Sequence, residues 1–136
     1  MASLTDIIAL HQGRQGPLLP ILHDVQATFG HVNEDAMRAI AAALNLTRAE
    51  VYGVVSFYHD FRTQPETRPV IRLCRAEACQ ARGVGALLTL ADGQSAVKVE
   101  PVYCLGLCAV GPAAMVGDQV YARLDAAAFA DLVRAQ

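Results

Sequence analysis

The residues with the clearest chemical potential are the four cysteines, which all fall in the second half of the chain as Cys74-x4-Cys79 and Cys104-x3-Cys108. Grouped thiolates bind soft metals, close disulfides or cycle as dithiols. Structural zinc favours tighter knuckles such as C-x2-C, but spacings up to x4 occur, so zinc fits these intervals. A [2Fe–2S] cluster on four thiolates fits them equally well. A dithiol switch lacks the Cys-x-x-Cys at a helix start that such chemistry uses. Four unrelated core thiols would not group two and two. Spacing alone leaves iron–sulfur and zinc chemistry both open.

The neighbours of the cysteines suit an anionic centre. Gly106 lies inside the second pair and Gly111 just after it, and glycine permits close backbone approach and positive φ, both useful for wrapping amides around sulfur. Leu73, Leu105, Leu107 and Val110 are expected to screen the site from water. Arg72, Arg75 and Arg82 flank the first pair, and the reading for them is solvated surface, with charge compensation or partner contact as the functional alternative. Glu77 sits within the first pair, where a carboxylate would disfavour adding an electron.

Other candidate groups are weaker. His11, His23, His31 and His59 all precede the cysteines by many residues and pair with no nucleophile, so none is assigned a chemical role. Phe57-Tyr58 reads as a core-closing aromatic pair, with docking to a neighbouring chain as the alternative.

These residues need elements to position them. Leu18, Leu19, Ile21, Leu22, Val25 and Phe29 recur at helical intervals between Pro17 and Gly30, predicting a helix with one buried stripe. A second helix runs from Asn33 to Asn45, with Met37, Ile40, Ala41 and Leu44 inward. Thr47 and Glu50 have capping-box spacing and open a third. The polar stretch 62–69, closed by Pro69, marks a linker. Beyond it, Val70-Ile71-Arg72-Leu73 reads as a strand, residues about 79–91 as a helix, and 97–103 as a strand. Residues 112–116 and 119–124 form a hairpin turning at Gly117-Asp118, and Asp125 caps a last helix with Phe129, Leu132 and Val133 inward. Both cysteine pairs then leave the same end of two parallel strands. The fold class is α/β, with an N-terminal helical bundle over residues 1–66 and a βαβββα domain over 67–136.

Composition narrows the class further. With 54% hydrophobic residues in 136, the chain can bury a core, so overall disorder is excluded. The net charge of −2 carries no basic block and gives no footprint for nucleic acid. No apolar run approaches the roughly 20 residues that cross a bilayer. The start, Met-Ala-Ser-Leu-Thr-Asp, shows no secretory pattern. The expected setting is cytoplasmic, where thiols stay reduced and grouped cysteines serve metals or redox chemistry.

Across nearly its whole length the chain resembles the thioredoxin-like [2Fe–2S] subunit of NADH dehydrogenase (complex I) and its relatives in NAD-reducing hydrogenases and formate dehydrogenases. The resemblance rests on Leu-Leu-Pro-Ile-Leu-His from Leu18, Phe29-Gly30-His31-Val32 and Val51-Tyr52-Gly53-Val54-Val55-Ser56-Phe57-Tyr58. It continues through C-x4-C, Arg82-Gly83 and Cys104-Leu105-Gly106-Leu107-Cys108 followed by Gly111-Pro112. Within the family, Cys74-Arg75-Ala76-Glu77-Ala78-Cys79-Gln80 looks most like the gamma subunit of NAD-dependent molybdenum formate dehydrogenase. The interval from Cys79 to Cys104 is shorter than the family's, as though trimmed around residues 92–95. The resemblance implies a thioredoxin-like domain holding one [2Fe–2S] cluster on Cys74, Cys79, Cys104 and Cys108, with no catalytic residue on this chain. It also implies a flavin subunit carrying FMN and NAD, and a large subunit carrying the molybdenum cofactor. The equivalent subunit of complex I or of a hydrogenase diaphorase is the alternative. A zinc-stabilised interaction module and a thiol redox enzyme are more distant ones.

Overall fold

A computed structural model describes all of residues 1–136, which divide into two compact units, Met1–Glu66 and Thr67–Gln136.

The first unit contains four helices: α1 (Leu4–His11), α2 (Leu18–Phe29), α3 (Glu34–Leu44) and α4 (Arg48–Phe57). Three of the four are opened by a side chain that satisfies amides the first turn leaves unpaired. Ser3 and Asp6 form a capping box for α1, Asn33 Oδ1 accepts from the Ala36 amide at 2.8 Å, and Thr47 and Glu50 form the expected box for α4. The helix α1 is an addition to the expected elements, although Ser3-x-x-Asp6 ahead of Leu4, Ile7 and Ile8 carries its signature. Gly30 and Asn45 end α2 and α3 in the left-handed region, with φ of 78° and 54°. The core of this unit is Ile7, Ile21, Leu22, Val25, Val32, Met37, Ile40, Val51, Val55 and Phe61.

Two aromatic expectations are corrected here. Phe57 is 72% exposed and Tyr58 41%, so they do not close the core. Phe61 takes that place, and Phe57 and Tyr58 meet edge to face on the surface at 5.0 Å. Phe29, expected on the buried stripe of α2, is also largely exposed at the last residue of its helix.

All four histidines belong to this first unit. His11 is buried: its Nε2–H donates to Asp24 Oδ2 at 2.6 Å, while Nδ1 accepts from the Arg14 guanidinium at 2.9 Å, tying α1 to α2. His31 Nδ1 sits 3.1 Å from the Phe29 carbonyl in the turn before α3.

The second unit is built on a four-stranded sheet of β1 (Val70–Cys74), β2 (Lys98–Val102), β3 (Ala114–Val116) and β4 (Gln119–Tyr121), in the order β2-β1-β3-β4. β1 runs parallel to β2 and antiparallel to β3, which turns through Gly117 (φ 56°) into β4. Between β1 and β2 the chain makes two helices, α5 (Glu77–Ala81) and α6 (Val84–Asp92), where one was expected. Gly83, at φ 93°, separates them. A left-handed residue cannot continue a right-handed helix, and the break lets Val84, Leu87 and Ala91 turn into the core. The last helix, α7 (Ala126–Arg134), is capped by Asp125 Oδ1, which accepts from the Ala128 amide at 2.7 Å, and it buries Phe129 and Leu132. Its neighbour is α6, and Ile71 and Leu73 of β1 lie fully buried in the same core.

Candidate metal centre

The sheet register explains how two distant cysteine pairs meet. Cys74 is the last residue of β1 and stands opposite Val102, the last residue of parallel β2. The chain beyond β1 carries Cys79 on α5, and the chain beyond β2 carries Cys104 and Cys108, the latter opening a 3₁₀ turn over Cys108–Val110. α5 packs on that turn. Both loops therefore gather at one end of the sheet, as their positions after parallel strands require.

The sulfur atoms form two pairs. Cys104 Sγ lies 3.5 Å from Cys108 Sγ, and Cys74 and Cys79 are near enough for each thiol to shift the titration of the other. A backbone contact joins the pairs: the Cys104 amide donates to Cys74 Sγ at 3.3 Å. Cys104 adopts φ 81°, a left-handed conformation rarely held by a residue with a side chain, and it does so at the residue whose amide makes this contact. Gly106, at φ 76°, aims its own amide at Cys104 Sγ, 3.4 Å away. Gly111 contributes differently. Its φ is −64°, and it gives room, since a Cβ there would stand 2.9 Å from Cys79 Sγ. No three His, Cys, Asp or Glu side chains surround a single metal position.

The electrostatics separate the four thiols. Burial pushes Cys74 up, but the amides of Ala76, Cys104 and Leu105, together with the Cys79 thiol, hold it below the usual thiol range. Cys79 is raised, chiefly by burial and then by the Cys74 thiol, against which the Ala113 amide acts. Cys108 is raised by its hydrogen bond with Cys104 and by the neighbouring sulfur charge. Cys74 and Cys79 are buried, whereas Cys104 and Cys108 are exposed. The expected apolar screen is therefore partial. Leu73 belongs to the core beneath the site, Leu105, Leu107 and Val110 are half-buried, and Tyr103 beside the second pair is 68% exposed.

This donor set fits an iron–sulfur core. Thiolates are the soft ligands it takes, and the amides aimed at sulfur offset its negative charge. Glu77 is exposed in the first turn of α5, so solvent damps its influence.

The sequence pattern of the thioredoxin-like [2Fe–2S] ferredoxin family matches residues 4–136. The chain belongs to that family. Its cofactor is accordingly a [2Fe–2S] cluster. A component of the NADH-quinone oxidoreductase of Rhizobium meliloti is 32% identical over 130 residues, covering 88% of this chain and 77% of the relative. The HndA component of the NADP-reducing hydrogenase of Solidesulfovibrio fructosivorans is 29% identical over 119 residues, covering 79% and 70%. Among solved structures, an NAD+-reducing [NiFe]-hydrogenase in the H2-reduced state superposes with a TM-score of 0.68 at 26% identity, over 83% of this chain. This chain spans about a fifth of that hydrogenase chain, 21% of its length. These ferredoxin relatives agree with the thioredoxin-like α/β reading of the second unit.

Proposed function

We propose that Cys74, Cys79, Cys104 and Cys108 hold the [2Fe–2S] cluster, and that the chain serves as an electron-transfer subunit of a soluble NAD-dependent formate dehydrogenase. The observation that carries the ligand assignment is the pairing of sulfurs at the ends of β1 and β2, joined by the Cys104 amide on Cys74 Sγ. Two pairs suit two irons, each taking two thiolates, whereas one zinc would draw all four sulfurs around one point.

When bound, the cluster stores and passes one electron. The chain's own residues provide the rest. Buried Cys74 and Cys79 anchor one side among backbone amides, and exposed Cys104 and Cys108 turn the other toward the surface. Electron exchange with a flavin subunit that handles NAD belongs on that open side, where Tyr103, Leu105 and Leu107 offer apolar contact. Formate oxidation belongs to a large molybdenum-containing subunit.

Formate dehydrogenase is favoured by the Cys74-Arg75-Ala76-Glu77-Ala78-Cys79-Gln80 loop, which resembles its gamma subunit. A second reading, the equivalent subunit of an NADH-quinone oxidoreductase or an NAD-reducing hydrogenase, is supported by the names of the relatives. Purification of the native complex distinguishes them. Formate:NAD activity in the fraction containing this chain is expected, with two irons, two acid-labile sulfides and a rhombic EPR signal on reduction in the isolated chain. Hydrogen or quinone activity in that fraction would transfer the chain to the second reading. A colourless chain with one zinc would end the cluster reading.

A further inference from the structure

The second cysteine pair differs from the first in access and in the backbone that carries it. Cys104 and Cys108 are exposed, whereas Cys74 and Cys79 are each only 2% exposed. Regular structure also holds the buried pair, since Cys74 ends β1 with its amide bonded to the Ala113 carbonyl at 2.9 Å and Cys79 lies on α5. Residues 104–107 belong to no helix or strand.

A disulfide sets its sulfurs about 2.0 Å apart, so the 3.5 Å between Cys104 Sγ and Cys108 Sγ leaves roughly 1.5 Å to close. The loop between them has room to adjust. Gly106, at φ 76°, has no side chain, and nothing stands within 4 Å of where its Cβ would be.

We propose that Cys104 and Cys108 of the metal-free chain close a reversible disulfide, and that this bond bars the cluster until it is reduced. The block on loading rests on the four-cysteine assignment, whereas the bond itself stands on the geometry of the pair. Metals take thiolates, so sulfurs bonded to each other are withdrawn from the site.

The oxidant is a small soluble disulfide such as oxidised glutathione, which reaches exposed sulfurs and not buried ones. One cysteine attacks it, forming a mixed disulfide and releasing one glutathione thiol. The other cysteine then attacks the mixed disulfide and releases the second. Across both steps the two protein thiols give up two electrons and two protons, one protein S–S bond forms, and the glutathione disulfide becomes two thiols. A thiol reductant runs the same exchange backwards.

The test treats the full chain, reduced and freed of metal, with oxidised glutathione. Free thiols are counted, bonded peptides are mapped by mass spectrometry, and uptake of ferrous iron with sulfide is followed alongside the loss of the bond. The expected product has lost two of its four thiols and carries a Cys104–Cys108 bond. It should take up iron only as that bond is reduced, by dithiothreitol or by the sulfide itself. Cys108→Ser, which lacks the second thiol, should stop at a mixed disulfide on Cys104. A bond between Cys74 and Cys79, scrambled pairs, or a wild-type chain that stops at the mixed disulfide overturns the proposal. Iron uptake at the rate of the reduced chain while the Cys104–Cys108 bond persists also overturns it. A reduced wild-type chain that takes up no iron would instead overturn the cluster assignment, with the peptide map still deciding whether the bond forms.

Discussion

Gly111 and Cys79 approach so closely that a methyl group on the glycine would stand 2.9 Å from the cysteine sulfur and 3.7 Å from its Cα. With φ at −64°, alanine would be conformationally welcome at position 111, so space is the only thing glycine supplies. Gly111→Ala must displace Cys79 Sγ by some tenths of an ångström, and overpacking of a buried site costs about 1–3 kcal/mol. The expected result is a folded protein that releases iron to a chelator markedly faster than wild type. Circular dichroism with a chelator time course checks this, and an unchanged release rate would remove the steric role of Gly111.

The two cysteine pairs should respond unequally to serine. Cys74 is buried at the end of β1 with several amides pointing at its sulfur, so an oxygen there is held in a frame shaped for a larger, softer atom. Cys108 is exposed and opens a short 3₁₀ turn with fewer constraints. Cys74→Ser is expected to abolish iron binding, and Cys108→Ser to leave a reduced but measurable iron and sulfide content with an altered EPR signal. Equal loss in both variants would count against this asymmetry.

The unequal exposure of the thiols shows what the sequence could and could not reveal. The parallel strands and the paired cysteines after them were legible, because strand periodicity and local spacing place both loops at one sheet end. The capping box at Thr47 and the hairpin at Gly117 were legible for the same local reason. The capping box of α1 is equally local but less conspicuous, since Asp6 stands where Glu or Gln is more usual. Tertiary facts were not legible. Phe57 faces outward while Phe61 fills the core, Gly83 splits the crossover helix so that Val84 can turn inward, and Arg75 Nε is buried without a partner.

The helical unit carries a pH-dependent contribution whose direction follows from Glu50. The Thr47 backbone amide, and then the Thr47 hydroxyl, hydrogen-bond the Glu50 carboxylate and hold it below its ordinary value of 4.5. A carboxyl depressed on folding stabilises the folded state above its unfolded value and loses that contribution as pH falls through its folded one. Thr47→Ala should cost about 1 kcal/mol at neutral pH. The stability gap between wild type and Glu50→Gln should be constant above pH 4.5 and shrink below it. Urea unfolding at neutral pH and again in acid below that value checks this, and a gap that widens in acid would contradict it.

The two units differ in what they are expected to do when separated at residue 67. Every core residue around β1, from Ile71 and Leu73 to Phe129 and Leu132, lies within Thr67–Gln136, and the helical unit has its own closed core. A chain of residues 67–136 retains all four cysteines and the amides that face them, so it should load two irons and titrate at the potential of the full chain. The removed unit carries exposed Phe57, Tyr52 and Tyr58, large aromatic surface that folding leaves unpaired with the core. Its loss should therefore weaken association with the proposed flavin subunit. Co-purification of that subunit with the full and shortened chains measures the effect, with Phe57→Ser in the full chain as a milder version that leaves the fold intact. Association of the shortened chain at undiminished affinity would place the docking surface on the cluster unit, beside the exposed Cys104 and Cys108.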